Sequence, residues 1–325
     1  MSIPADWASR LRLPLLAAPM LHVSGPELVV AACRAGAIGA FPTANCRSED
    51  ELSQWIARIR AAFETAGTAA TEVAPFCANL IVRSPHLQEH LACLVRERVE
   101  MVITSVGSPR QVVGPLRDAG CRVFADVATL AHAEKALADG VDGLVLVTAG
   151  AGGQTGWVNP FAFVRAVRSL FDGPLVLAGG IADGHALWAA CALGADLAYM
   201  GTRFIATPQS MASPVYRQML VQSTFDDVMT SAAFSGLDAN WLRPSIVAAG
   251  LDPDALAPEA VRISNQEMYD THRPRRWTDL WSAGHSVVGV QRVQDVADLV
   301  NEVATEFNLA RERSMVLPAA KARSG

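Results

Sequence analysis

From Leu13 to Phe204 the chain alternates short apolar runs with amphipathic stretches that end in glycine. The runs are LPLLAAPM (13–20), AIGAFP (37–42), PFCANLIV (75–82), EMVITSV (100–106), CRVFADV (121–127), GLVLVT (143–148), PLVLAGG (174–180) and LAYMGTRF (197–204). Their nearly continuous apolar character predicts parallel strands covered on both faces. The intervening stretches have helical spacing and helical punctuation. In 24–36, Ser24 stands where an N-cap belongs, Pro26 falls in the first turn and Gly36 marks the stop. Ser48 precedes two acids at the head of 48–67, and Gly140 and Gly194 close 129–140 and 184–195. Eight strands alternating with helices predict an α/β fold, a closed (β/α)8 TIM barrel. The competing open doubly wound sheet would carry a glycine fingerprint after its first strand, where this chain reads APMLHVSG.

The rhythm stops after the eighth strand. Residues 207–285 are rich in Pro, Asn and Asp and read as an insertion, either a lid over the site or a surface for homodimer formation. In 289–313, Val293, Val296, Leu299, Val300 and Val303 recur at helical spacing and predict the helix that closes the ring. The expected layout is a barrel of 1–206 and 286–313, the inserted region 207–285, and a loose tail 314–325.

Composition narrows the partners. With 51% hydrophobic and 18% charged residues, the chain is not a disordered one. A net charge of −5 lacks the basic footprint of a nucleic-acid binder. No apolar stretch is long enough to predict a membrane span. Six scattered cysteines without a CxxC or Cys/His cluster predict reduced, mostly buried thiols in a cytoplasmic protein, with no metal site.

A barrel of this kind carries its chemistry at the C-terminal ends of its strands. Two glycine clusters stand there. Gly179-Gly180 ends the seventh strand, and Gly201-Thr202 ends the eighth. Backbone free of Cβ atoms on these adjacent strands predicts a phosphate corner. After the sixth strand, GAGGQTGWVNPF (150–161) offers a loop that can lie beside a planar ring, with Gln154 as its projecting polar group and Trp157, Pro160 and Phe161 as anchors. Asn79 sits in an apolar strand; its amide either holds the edge of a heterocycle or satisfies a neighbouring backbone group. Asp126 ends the fifth strand and either faces the site or joins a structural ion pair. His22 and His285 stand at the rim as candidate bases, and His185 near a helix start either supports the phosphate corner or merely begins the helix. His86, His90 and His132 fall on helices and are expected at the surface. No nucleophile elbow, P-loop or carboxylate pair is present, which favours a cofactor carrying the chemistry.

APM (18–20), the Asn79 strand, AGGQTG (151–156), LAGGIADG (177–184) and ALGADLAYMGTRFIAT (192–207) together resemble the nitronate monooxygenase family, once called 2-nitropropane dioxygenases, over nearly the whole chain. The resemblance implies an FMN-dependent TIM-barrel oxidoreductase. It implies that Gly179, Gly180, Gly201 and Thr202 bind the FMN phosphate. Ala18, Pro19 and Met20 would line the isoalloxazine, with Asn79 on its polar edge, and Ala178, Gly152, Gly153 and Asp126 are further candidates for binding the cofactor. It implies a small-molecule substrate and O2, with alkyl nitronates giving carbonyl compound and nitrite. Enoyl-thioester and NAD(P)H:quinone reductases share the framework and remain alternatives, as does, last, a non-catalytic flavin binder. The family usually has AGGH where this chain has Gln154. An imidazole takes a proton near neutral pH, whereas a carboxamide only donates and accepts hydrogen bonds. Nitronates should therefore turn over and neutral nitroalkanes poorly, unless His22 or His285 supplies the base. Trp241, Trp277 and Trp281 are expected as apolar walls. Arg243, Arg273, Arg275 and Arg276 read by default as a solvated charged face, or, in the reductase reading, as a grip for a thioester's phosphates.

Overall fold

A computed structural model describes residues 3–65, 73–256 and 276–316. Eight parallel strands close a barrel: β1 (Leu15–Ala17), β2 (Ile38–Pro42), β3 (Phe76–Ile81), β4 (Met101–Ser105), β5 (Arg122–Val127), β6 (Gly143–Val147), β8 (Leu175–Ala178) and β9 (Leu197–Met200). β1 pairs with both β2 and β9, so the sheet has no edge and the doubly wound alternative is excluded. Helices α2 (Pro26–Arg34), α3 (Glu49–Thr65), α4 (Leu87–Glu97), α5 (Arg110–Asp118), α6 (Leu130–Ala138), α7 (Pro160–Arg168) and α8 (Gly184–Leu193) fill the crossovers.

Period-two alternation splits each strand between two cores. One face packs on the helices through residues such as Leu15, Phe41 and Val123. The other fills the barrel with Leu16, Ile38, Cys77, Met101, Ile103, Phe124, Val145, Val176 and Leu197. Two residues beyond Cys77, Ile103, Phe124 and Leu197 come Asn79, Ser105, Asp126 and Tyr199, so the same inward face turns polar toward the C-terminal mouth. At the opposite end the barrel is plugged by the N-terminal segment. Trp7, on the short helix α1 (Ala5–Ala8), stacks on Phe124 with ring centroids 6.4 Å apart. Nothing in the sequence pattern marks that plug.

Several local expectations are corrected. Ser24 does not cap α2, whose N-cap position is Gly25. The buried Ser24 hydroxyl instead accepts from Met20 N–H and donates to the Ala18 carbonyl, bracing the loop after β1. The ring-closing helix, α12 (Val296–Met315), starts later than its pattern suggested. Val293 lies outside it and is exposed, while Val296, Leu299, Val300 and Val303 are fully buried. α12 also runs into the first residues of the expected tail; 317–325 lie outside the described residues. α12 packs on α8 so closely that a Cβ on Gly184 would stand 2.2 Å from Phe307 N and 2.3 Å from the Val303 carbonyl oxygen. His90 is buried, not exposed. It falls beside Leu87, Leu91 and Leu94 on the inward face of α4, and burial, then the nearby His86, pushes its pKa down. All six cysteines are free and five are buried.

After the short helix α9 (Thr202–Ile205), the insertion has structure of its own: α10 (Pro214–Gln222), β10 (Val228–Ser231), β11 (Ala239–Leu242) and α11 (Arg243–Ala248). Together with β7 (Gly153–Gln154), β10 and β11 form a three-stranded antiparallel sheet with β11 in the middle. The glycine loop after β6 is thus knitted to the insertion. No helix of the described residues is long and apolar enough to cross a membrane.

Candidate active site

The polar upper layer of the barrel opens into a cavity of about 250 Å³, many times the ~30 Å³ share of one water and so large enough to admit a ligand. Ala18, Pro19 and Met20 from β1's end, Asn79 from β3, Asp126 from β5, Ala178, Gly179 and Gly180 from β8, and Gly201 and Thr202 after β9 all line it. Gly152, Gly153 and Gln154 contribute a further side. The insertion and the return to the barrel supply the rest, through Tyr216, Trp277, Ser282, Ala283 and Ser286.

Two of the nominated residues fall elsewhere. His22 and His285 are exposed and do not line the cavity; the His285 ring lies against Gly150. Of the tryptophans, only Trp277 reaches the wall. Trp241 is fully buried in the insertion's own core, and Trp281 stands behind Tyr216, stacked on it at 4.9 Å. Trp157 and Phe161 do not anchor the glycine loop: they are 81% and 62% exposed. His185 is exposed at the first turn of α8. Arg243 pairs with Asp254, and Arg273 and Arg275 lie outside the described residues.

The loop gains its rigidity from backbone contacts instead. His285 N–H donates to the Gly150 carbonyl at 2.9 Å, Asn240 Nδ2 to the Ala151 carbonyl at 2.7 Å, and Thr155 N–H to the Asp238 carbonyl at 3.0 Å. A Cβ on Gly152 would lie 2.8 Å from Gly284 N. Part of this loop's glycine content therefore serves close approach to the 283–284 segment. Gly284 N–H in turn donates to Thr202 Oγ1 at 3.0 Å, tying the end of β9 to the same segment.

The glycines at the far rim differ from one another. A Cβ on Gly179 would stand 2.4 Å from Thr148 Oγ1, so that glycine serves packing. Gly180, at φ +73°, has nothing within 4 Å of an added Cβ. Its backbone is thus bare on that side.

The electrostatics of the wall are one-sided. Among the described residues no Lys, Arg or His lines the cavity, and Asp126 is its one carboxyl. No ion pair holds Asp126; its Oδ1 is shielded from solvent without a hydrogen-bond partner, and burial pushes its pKa up to about 7. The Tyr199 hydroxyl and Ser282 Oγ on the same wall are likewise buried and unpartnered. Asn79 satisfies a neighbouring backbone group: Nδ2 donates to the Ile103 carbonyl at 3.2 Å and Oδ1 accepts from Ser105 Oγ at 3.3 Å, while the residue also lines the cavity. Buried polar atoms are nearly always paired in folded proteins. Three orphans around one void fit a heteroatom-rich ligand such as a flavin, and a Cβ-free rim fits its phosphate. Sequence patterning had no means of finding Tyr199 or Ser282. Backbone strain marks the same place: Val106 (φ +54°) and Trp277 (φ +58°) line the cavity in the left-handed region.

Comparison with known proteins agrees with this geometry. A nitronate monooxygenase of Paraburkholderia phytofirmans is 27% identical over 292 residues, covering 77% of this chain and 79% of that protein. The (3aS,4S,5R,7aS)-5-hydroxy-7a-methyl-1-oxo-octahydro-1H-indene-4-carboxyl-CoA dehydrogenase of Mycobacterium tuberculosis is 27% identical over 72% of this chain, which spans 64% of that relative's length. Among solved structures, FabK from Thermotoga maritima superposes with a TM-score of 0.76 at 24% identity over 94% of this chain and 96% of that one, a likeness of fold. The nitroalkane oxidase from Streptomyces ansochromogenes does so at 0.75 and 24%, over 95% and 100%. The nitronate monooxygenase family model matches residues 7–306, so the chain belongs to that family of flavin-dependent TIM-barrel oxidoreductases, and membership implies FMN as cofactor.

Proposed function

We propose that the chain is a nitronate monooxygenase, oxidising alkyl nitronates with O2 to a carbonyl compound and nitrite. The observation that carries this reading is a cavity wall without imidazole, amine or guanidinium among the described residues. A neutral nitroalkane must first lose its α-proton, and that step needs a base poised near the working pH. A nitronate arrives already deprotonated. Gln154, at the rim on β7, offers amide donors to the nitronate oxygens and no base.

In this reading Gly180, Gly201 and Thr202 hold the phosphate of FMN through backbone N–H groups and one hydroxyl. Ala18, Pro19 and Met20 give the ring an apolar bed. Asn79, Tyr199 and Ser282 meet its heteroatoms. Bound FMN supplies the electron transfer that no side chain here provides. The protein's own work is to orient the substrate anion and exclude water, with Tyr216 and Trp277 as the insertion's contribution to the wall.

A second reading is a reductase that draws hydride from NAD(P)H for an enoyl thioester or quinone. One observation favours it: the Arg276 guanidinium lies 5.1 Å over the ring of Trp277, which lines the cavity, and so offers a cation at the mouth. An anaerobic spectrum of the purified protein separates the two. Bleaching by an alkyl nitronate but not by NADH supports the monooxygenase; rapid bleaching by NADH overturns it in favour of the reductase.

A further inference from the structure

Asp126 is the one group on the wall whose ionisation matters near neutral pH, and its surroundings decide which form it takes. It lies on the inward face of β5, two residues beyond the buried Phe124. The strands beside it, β4 and β6, carry no titratable side chain. Around the rest of the barrel, the titratable residues on the strands that share its interior are Cys77 on β3 and Tyr199 on β9. Both are acids, held protonated by burial and further discouraged from ionising by Asp126 itself. The remaining charged strand residue, Arg122, is exposed at the opposite end of β5. Among the described residues, a carboxylate at Asp126 therefore meets no cation on the wall and no hydrogen-bond donor to Oδ1.

A flavin that enters this void excludes solvent from it and brings a phosphate dianion to a wall on which no described residue carries a positive charge, Arg276 standing outside it over Trp277. We propose that binding of FMN takes up one proton at Asp126, so that its carboxyl stands neutral in the complex and serves as a hydrogen-bond donor rather than a base. This inference rests on the FMN reading above. It also explains how a wall carboxyl is compatible with a site that does not deprotonate nitroalkanes. In the free protein burial already holds this carboxyl near pH 7. If only the neutral form accepts FMN, affinity weakens about tenfold per pH unit above that point.

The test is calorimetric titration of the apoprotein with FMN at pH 8, in two buffers of different ionisation enthalpy, with affinity followed by flavin fluorescence from pH 7 to 9. The second ionisation of the FMN phosphate, near pH ~6, is complete across that range. The expected result is uptake of close to one proton per FMN at pH 8 and an affinity that falls about fiftyfold between pH 7 and pH 9. Asp126→Asn should bind FMN without proton uptake and with a flat pH profile. Tight binding with no proton exchange in the wild-type protein overturns the proposal, as does an undiminished pH dependence in Asp126→Asn. The uptake measurement needs no variant. If neither protein binds FMN at any pH, the cofactor reading has failed and this inference falls with it, a result distinct from pH-independent binding.

Discussion

Replacing Gly180 by alanine tests the phosphate corner with an internal control. At φ +73° the new Cβ meets nothing within 4 Å, so the fold loses only the left-handed backbone preference, about 1–2 kcal/mol. Gly120 is its match: φ is +88°, an added Cβ also meets nothing within 4 Å, and it caps α5 ahead of β5, at the opposite end of the barrel from the cavity. Gly120→Ala and Gly180→Ala should therefore lower the melting temperature by a similar few degrees. Their ligand effects should diverge. A methyl at Gly180 occupies the open side of the rim and displaces a phosphate from the backbone donors. Hydrogen bonds to a charged group contribute about 1.5–3 kcal/mol each, so loss of two removes about 3 kcal/mol or more. At about 1.4 kcal/mol per tenfold, FMN affinity should fall a hundredfold or more in Gly180→Ala and stay unchanged in Gly120→Ala. The assay is quenching of flavin fluorescence on titrating each deflavinated protein. Equal FMN affinity in Gly180→Ala and wild type refutes the assignment of this rim to the phosphate.

Other outcomes follow from the same physical account. Gly184→Ala forces a Cβ into the backbone of α12 at 2.2–2.3 Å and should cost about 2–4 kcal/mol, read as a drop in the chemical-denaturation midpoint. The folded-state pKa of His90 is pushed down, so the unfolded chain binds the proton first as pH falls. Stability should then be complete above the ordinary histidine pKa and decline as pH drops through it; His90→Leu, which also removes two unpartnered ring nitrogens, should abolish that decline and raise stability by about 1 kcal/mol. Gln154→His restores an imidazole at the rim and should raise turnover of neutral nitroalkanes by about 10²–10⁴-fold with little change for nitronates; unchanged nitroalkane activity removes Gln154 from the substrate's side of the cavity.

The barrel was legible because its determinants are local. Parallel strands covered on both faces read as apolar runs, and Gly36, Gly120, Gly140 and Gly194 mark helix ends through positive φ, a requirement glycine alone meets cheaply. Gly179 and Gly180 share that positive φ, whereas Gly201, at φ −107°, does not. What escaped depends on partners distant in sequence. Trp7 is a barrel plug only because Phe124 lies beneath it. His90 is buried because α4 turns that face inward, and a histidine among leucines does not announce which face it takes. In the sequence the glycine loop has Trp157, Pro160 and Phe161 as its expected anchors, because its actual neighbours, Asp238–Asn240 and Ala283–Gly284, belong to a segment without repeat. Tyr199 and Ser282 became site candidates only when a cavity appeared beside their unpartnered hydroxyls.

The central claim is that glycine-bared backbone at the ends of β8 and β9 grips the phosphate of FMN. The most direct test compares FMN with riboflavin, which has the same ring and no phosphate, in titrations of the deflavinated protein at pH 7. The account predicts one FMN per chain, bound at least about a hundredfold more tightly than riboflavin. Equal affinity for the two, or binding of neither, would contradict it.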